Sequence, residues 1–351
     1  VTLLDDAYAM VRVPSVSRNE SALAALLATQ LRTAKHLDVE RIGDNVVART
    51  TGNHRRRIIV AGHIDTVPGD AAQARVEGDR LVGVGAADMK GSVAIMVRQA
   101  LNPVARPTEL TWVFYAREEI ARAESGLLEL AELRPDLLVG DVAIVAEPTG
   151  GAVEAGCQGT LRVVVTVVGA RAHTSRPWTG RNAIHRLARV IEQVAAYEPR
   201  VVTVDGVTFT EQMQVVSVEG GIAPNVVPDR ASCVLNHRVA PDRSLAEATD
   251  AVRELLGDVL GEGDELVVGD WAPAAPPSLG NEMLQRLVRA TGVPARAKVG
   301  WTDVATFYER GVPSANFGAG DPLLAHRSDE FVTASELEAF DAALAGFLAA
   351  D

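Results

Sequence analysis

The sequence predicts an α/β protein: a three-layer α/β/α catalytic domain into which a smaller α+β domain of ferredoxin-like order is inserted. Three observations carry this expectation. Short apolar runs at 58–61, 110–116 and 142–146 alternate with stretches of helical spacing, as in a sheet covered on both faces. From about Gly156 the pattern changes to strand, helix, strand, strand, helix, strand. A Pro-rich stretch at 272–277 then reads as a linker, after which helical spacing resumes. The expected boundaries are 1–155 for the first part of the catalytic domain, 156–270 for the insertion and 271–351 for the second part.

Taken in order, residues 3–36 show helical spacing, with Leu23, Leu26, Leu27 and Leu31 following Asn19 as N-cap. The three apolar runs come next, separated by helices expected at 90–101 and 124–133. Each run ends in polar or ionisable residues: Gly62-His63-Ile64-Asp65, Arg117-Glu118-Glu119 and Glu147-Pro148-Thr149. Ligand sites in open α/β sheets gather at the carboxyl ends of strands, so these endings mark the candidate site. Within the insertion, strands are expected at 161–168, 214–219, 231–238 and 265–269, and helices at 182–196 and 244–256. Helices at 282–290, 304–310 and 335–349 complete the chain.

Composition narrows the function. An apolar fraction of 47% with 23% charged residues describes a globular chain of 351 residues. The formal net charge of -12, with no basic cluster longer than Arg55 to Arg57, argues against nucleic acid as a partner. No run reaches the length a membrane span needs, and the first residues lack the pattern of an export signal. Two cysteines, Cys157 and Cys233, form no CxxC pair, so neither a disulfide framework nor a structural zinc site is expected. A cytoplasmic location fits these features.

His63 with Asp65, Asp88, Glu118 with Glu119, Glu147 and His326 are metal-capable groups scattered through the proposed catalytic domain. Charged side chains seldom enter apolar surroundings without partners, yet most of these follow strongly apolar strands. Together they point to a metal site. The segments AGHIDTVP (61–68), GAADMKGSVA (85–94), the Glu118-Glu119 pair, AEPT (146–149) and LAHRSDE (324–330) resemble the di-zinc aminoacylase and carboxypeptidase superfamily.

That resemblance implies two zinc ions, with cobalt as a substitute. Asp88 would bridge them, His63 and Glu147 would complete one site, and Glu119 and His326 the other. It also implies that Glu118 is the general base, that Asp65 orients the His63 imidazole, and that the insertion is a lid and dimerisation domain. The segment GARAHTSRPWTGRNAIH (169–185) resembles that domain's lid, whose histidine, here His173, would donate a hydrogen bond to the oxyanion from a partner subunit of a homodimer. Substrate-binding candidates are Asn225, Arg238, Thr302, Asn316 and Gly318, Arg238 because a guanidinium can grip a carboxylate with two hydrogen bonds.

The phrases EAGCQGTLR, RPWTGRNAIHR, NHRVAPDR and GDPLLAHRSDE resemble the branch of the superfamily that removes a succinyl group from a diamino dicarboxylic acid. Two departures stand out: Cys157-Gln158-Gly159-Thr160 replaces an Arg-Arg-Gly-Ser phrase, and Val84 stands where an arginine is usual. The alternatives are a deacetylase or dipeptidase sharing the same site, an inactive binding protein on the same fold, and an amidase using Cys157 as nucleophile. The expected substrate is a small N-acyl amino acid.

Overall fold

Thr2 opens the fold by capping its own helix: its hydroxyl accepts the Asp5 N–H while the Asp5 carboxylate accepts the Thr2 N–H. The computed structural model describes residues 2–52, 54–103 and 107–350. The helical spacing expected over 3–36 is two helices, α1 (Leu3–Val11) and α2 (Ser21–Leu31), parted around Pro14. Glu20, not Asn19, occupies the N-cap of α2, and its side chain makes no cap bond there.

The chain continues through a hairpin, β1 (Leu37–Ile42) and β2 (Asn45–Thr50), turned at Gly43 with φ 60°. Then come β3 (Arg57–His63), β4 (Arg75–Glu77), β5 (Arg80–Val82), α3 (Gly91–Leu101), β6 (Glu109–Tyr115), α4 (Gly126–Leu133), β7 (Val142–Val145) and β8 (Glu154–Ala155). Every position of β6 and β7 is buried, as in strands covered on both faces.

The insertion contains β9 (Gly159–Val168), α5 (Ala183–Ala195), β10 (Val201–Val204), β11 (Val207–Thr210), β12 (Gln212–Gly220), β13 (Arg230–Val239), α6 (Leu245–Leu256) and β14 (Glu265–Ala272). The sheet order β12-β13-β9-β14, antiparallel throughout, is the ferredoxin-like arrangement. Alternate residues of β9, Leu161, Val163, Val165 and Val167, pack with Leu187 and Val190 of α5 and Val252 and Leu256 of α6. The β10–β11 hairpin was not expected. Its turn residues, Asp205 and Gly206, both have positive φ, 48° and 80°.

The returning segment supplies α7 (Glu282–Thr291), α8 (Val304–Glu309), β15 (Ser314–Asn316), β16 (Phe331–Thr333) and α9 (Ala334–Ala349). β15 joins the main sheet, whose order among the described residues is β1-β2-β6-β3-β7-β15-β8. The β6–β3, β3–β7 and β7–β15 pairs are parallel, so their carboxyl ends lie on one edge. β16 pairs with β5 in a small three-stranded sheet.

Two units result: Val1–Gly156, Pro277–Arg296 and Asp303–Asp351 form the first, and Cys157–Pro276 with Ala297–Thr302 the second. This differs from the sequence expectation, which ended the insertion at 270 and placed Thr302 on the returning catalytic segment. Hydrogen bonds explain the difference: Gln158 N–H donates to Lys298 O, Cys157 Sγ to Thr302 O, and Trp301 Nε1 to Pro273 O. Ala275 also pairs with Cys157, so most of the supposed linker belongs to the second unit.

Candidate metal centre

The parallel strands of the first unit end where the ionisable residues begin, and all five expected ligands lie in that unit. Asp88 sits between the two imidazoles: its Oδ1 is 3.1 Å from His63 Nε2 and its Oδ2 is 3.4 Å from His326 Nε2. Glu147 Oε1 lies 3.8 Å from His63 Nε2, and Glu119 Oε2 lies 2.9 Å from His326 Nε2. The His63 imidazole thus faces Asp88 and Glu147, and the His326 imidazole faces Asp88 and Glu119.

The backbone is shaped to present these groups. Asp88 lies in an irregular turn before α3, ahead of a cis peptide to Met89. The N–H groups of Ala87 and Asp88 donate to Glu330 Oε1 at 2.8 and 3.0 Å, fixing that turn. His326, in the loop between Leu324 and β16, has the left-handed φ of 66°.

Electrostatics agree with a cation site. Burial works to lower the pKa of His63, yet hydrogen bonds to Asp65 and Asp88 hold it well above its ordinary value. Hydrogen bonds to Asp88 and Glu119 hold His326 up to about 10. Asp88 is shifted the other way: burial opposes ionisation, but His326 and His63 keep its carboxyl well below the usual range. Asp88, Glu119, Glu147 and Glu118 thus confront two imidazoles, an excess of acidic oxygen that divalent cations would neutralise. Ligand atoms of His63, Asp88 and Glu119 all lie within 4.8 Å of one another, and imidazole with carboxylate suits zinc. The residues fit the group.

Asp65 is fully buried and holds more than one partner. His63 Nδ1 lies 3.1 Å from the Asp65 backbone oxygen and 3.5 Å from its Oδ1, which leaves Nε2 facing Asp88. Asp65 Oδ1 also accepts the Glu118 N–H at 3.0 Å, and Oδ2 accepts the Glu119 N–H at 3.1 Å and the Ser17 hydroxyl at 2.7 Å. Burial pushes the Glu118 carboxyl well above its usual range, with Glu147, Glu119 and Asp303 adding to the repulsion and His63 opposing it.

The remaining candidates divide between the units. His173, Asn225, Arg238 and Thr302 belong to the second. His173 is exposed, and its Nδ1 accepts the Ser175 N–H at 3.1 Å. Arg238 donates to Thr160 Oγ1 at 2.6 Å, and Asn225 is exposed in the loop before β13. Thr302 is buried. In the first unit Asn316 is fully buried, its amide donating to Glu154 O at 3.2 Å. Gly318 backs onto the strand end that carries Glu147: a Cβ there would stand 2.1 Å from Ala146 O.

Sequence reasoning gave no role to Ser17, Tyr115, Asp303 or Glu330. Tyr115 lies edge-on to His63 with ring centroids 6.4 Å apart, and its buried hydroxyl lies beside Asp303, whose Oδ1 accepts the Thr306 hydroxyl at 2.7 Å. Glu330 closes the LAHRSDE phrase, so its motif position was a signal; the others carry no pattern of their own.

Residues 59–350 match the model of "Peptidase family M20/M25/M40". The chain is 45% identical over 334 residues to a protein of Mycobacterium tuberculosis named putative succinyl-diaminopimelate desuccinylase, covering 94% of this chain and 93% of that one. It is 43% identical over 329 residues to the succinyl-diaminopimelate desuccinylase of Corynebacterium glutamicum, covering 92% and 89%. Among solved structures, a Staphylococcus aureus tripeptidase superposes with TM-score 0.79 at 20% identity, over 99% of this chain and 96% of that one. A Bacillus subtilis protein described as a dinuclear metal binding peptidase superposes with TM-score 0.72 at 16% identity, over 99% and 96%. With a family model spanning most of its length and relatives this similar, the chain belongs to peptidase family M20/M25/M40.

Proposed function

We propose that this protein is a two-metal amidohydrolase that cleaves N-succinyl-LL-2,6-diaminopimelate into succinate and LL-2,6-diaminopimelate, in lysine and cell-wall biosynthesis. The observation that carries the chemistry is Asp88, with one carboxylate oxygen toward His63 and the other toward His326, whose ring also meets Glu119, the sequence neighbour of Glu118. The desuccinylase relatives support the substrate.

Two zinc ions, when bound, would supply Lewis acidity toward the amide carbonyl and toward water. His63 and Glu147 would hold one, Glu119 and His326 the other, and Asp88 both. Glu118 accepts a proton from the attacking water and delivers it to the amide nitrogen as the C–N bond breaks. The acyl group leaves as succinate and the amine as the free amino acid. Asp65 keeps His63 in the tautomer that ligates through Nε2.

A backbone N–H can only donate, so the Ser175 N–H at His173 Nδ1 leaves the proton of the neutral ring on Nε2. Nε2–H is then a donor for the oxyanion that forms as water adds to the carbonyl. Supplied by a partner subunit, it would make a homodimer the working unit. Val216 and Val218, 57% and 53% exposed on the edge strand β12, support pairing of two copies through the inserted domain. Arg238 is the candidate clamp for a substrate carboxylate, and Asn225, Thr302 and Gly318 remain candidate pocket groups. We place the reaction in the cytoplasm; among the described residues no helix is long and apolar enough to cross a membrane.

A cysteine amidase is disfavoured because Cys157 is fully buried with its Sγ on Thr302 O. The test is hydrolysis of N-succinyl-diaminopimelate, N-acetylornithine and dipeptides by zinc-loaded enzyme. The succinyl compound should give the highest kcat/KM. Preference for acetylornithine or a dipeptide would overturn the substrate, and failure on all three with two metals bound would overturn the activity.

A further inference from the structure

We infer that Glu20 and Asn45 are positioning residues that hold the catalytic glutamate pair in place through its backbone. The inference rests on the reading of Glu118 as base and Glu119 as ligand. Consecutive residues of a strand point to opposite faces, so two adjacent glutamates can serve one site only where the strand is broken. Strand β6 ends at Tyr115, and Arg117 takes the left-handed conformation, φ 61°. That break removes the next four N–H groups from the sheet ladder. Each finds an acceptor on a side chain from elsewhere in the unit: Ala116 N–H on Asn45 Oδ1 at 3.0 Å, Arg117 N–H on Glu20 Oε1 at 3.1 Å, and Glu118 and Glu119 N–H on the two oxygens of Asp65.

Glu20 is the least expected member. It is fully buried, no cation pairs with it among the described residues, and burial pushes its carboxyl up. It does not cap its own helix. Its Oε1 takes the Arg18 N–H at 3.0 Å together with the Arg117 N–H, joining the start of α2 to the turn that carries Glu118. The Arg117 N–H, which the left-handed residue turns out of the ladder, thereby keeps an acceptor. Asn45 is locked in turn, because its amide nitrogen donates to Glu129 Oε2 at 2.9 Å, which also takes the Arg117 guanidinium at 2.6 Å. Gly126 leaves room for this: a Cβ there would stand 2.0 Å from Asn45 Oδ1.

Both backbone bonds of Glu20 fall on Oε1, and Oε2 has no hydrogen-bond partner. A glutamine can therefore reproduce the acceptor exchange, whereas a methionine of similar length cannot. On zinc-loaded enzyme with N-succinyl-diaminopimelate, Glu20→Met should lower kcat about 10- to 100-fold, with KM within about threefold and metal content equal to wild type. Glu20→Gln should stay within about threefold of wild type. Unchanged kcat in Glu20→Met, a glutamine variant as impaired as the methionine one, or metal loss in step with activity would each overturn the inference. Should Glu20→Met fail to fold, Asn45→Ala reads the same turn through the Ala116 N–H, with the same expected kcat-selective loss. Glu118→Gln separates the two claims: if it stays active the reading of the base fails, and if it is inactive while Glu20→Met is active only the positioning role fails.

Discussion

Replacing Asp65 by asparagine changes no volume, yet it removes one of two oxygens that are both in use. Oδ1 serves the Glu118 N–H and faces His63, and Oδ2 serves the Glu119 N–H and the Ser17 hydroxyl. Whichever oxygen becomes NH2, one backbone N–H of the glutamate pair meets a donor in place of an acceptor. A hydrogen bond to a charged acceptor contributes about 1.5–3 kcal/mol, and the side chain is fully buried, so Asp65→Asn should lose about 2–3 kcal/mol of stability in urea unfolding. A released Glu118 or Glu119 is misplaced by a fraction of an ångström, which should lower kcat/KM about 100-fold. Ser17→Ala is the control: it removes a donor to Oδ2 but leaves both N–H bonds intact, and should cost about 1 kcal/mol and less than threefold in rate. If Asp65→Asn and Ser17→Ala behave alike in both assays, the two N–H bonds do not organise the site.

Because hydrogen bonds to Asp88 and Glu119 hold His326 up to about 10, with His63 shifted in the same direction, ligation must displace ring protons. Zinc loading should release protons in calorimetry across buffers of different ionisation enthalpy, and affinity should rise with pH between 6 and 8; a pH-independent affinity would contradict this. Gly318→Ala would place a methyl 2.1 Å from Ala146 O and 2.6 Å from Glu147 O, both rigid backbone. Moving Glu147 away from His63 should lower Tm and leave fewer than two zinc ions per chain after dialysis; full occupancy would refute the placement. In the second unit burial would raise the pKa of Glu211, but His237, the Ala240 N–H and Arg243 outweigh it and the net shift is downward. Its contribution to stability is therefore present above the ordinary carboxyl value of about 4.3 and fades as pH falls through the lower folded value. Glu211→Gln should flatten the acid limb of the unfolding curve, and an unaltered limb would show that Glu211 is not its source.

The main strands were legible because they leave dense local signals, whereas the proposed ligand set came from the likeness of five short segments to a known superfamily. A short apolar run such as 110–116, bounded by polar residues and flanked by helical stretches, reads as a strand buried on both sides, and ionisable residues at the ends of several such runs mark where a site is expected. The β10–β11 hairpin was missed although Asp205-Gly206 is a strong turn signal, because a ferredoxin-like order already accounted for the flanking segments. Glu20 and Asn45 were out of reach for a different reason. Their partners are 97 and 71 residues away, and nothing near either residue announces a broken strand elsewhere. Glu118 and Glu119 were recognised as a pair, but how adjacent side chains could share one site depended on a left-handed Arg117 that only the backbone reveals.

Glu118→Gln tests the central claim most directly, since the amide keeps the shape and removes the proton acceptor. Measured on zinc-loaded enzyme with metal content checked in the same sample, kcat for N-succinyl-diaminopimelate should fall by about 10²- to 10⁴-fold with two metals retained. A variant that keeps its metals and a kcat within tenfold of wild type would contradict the account.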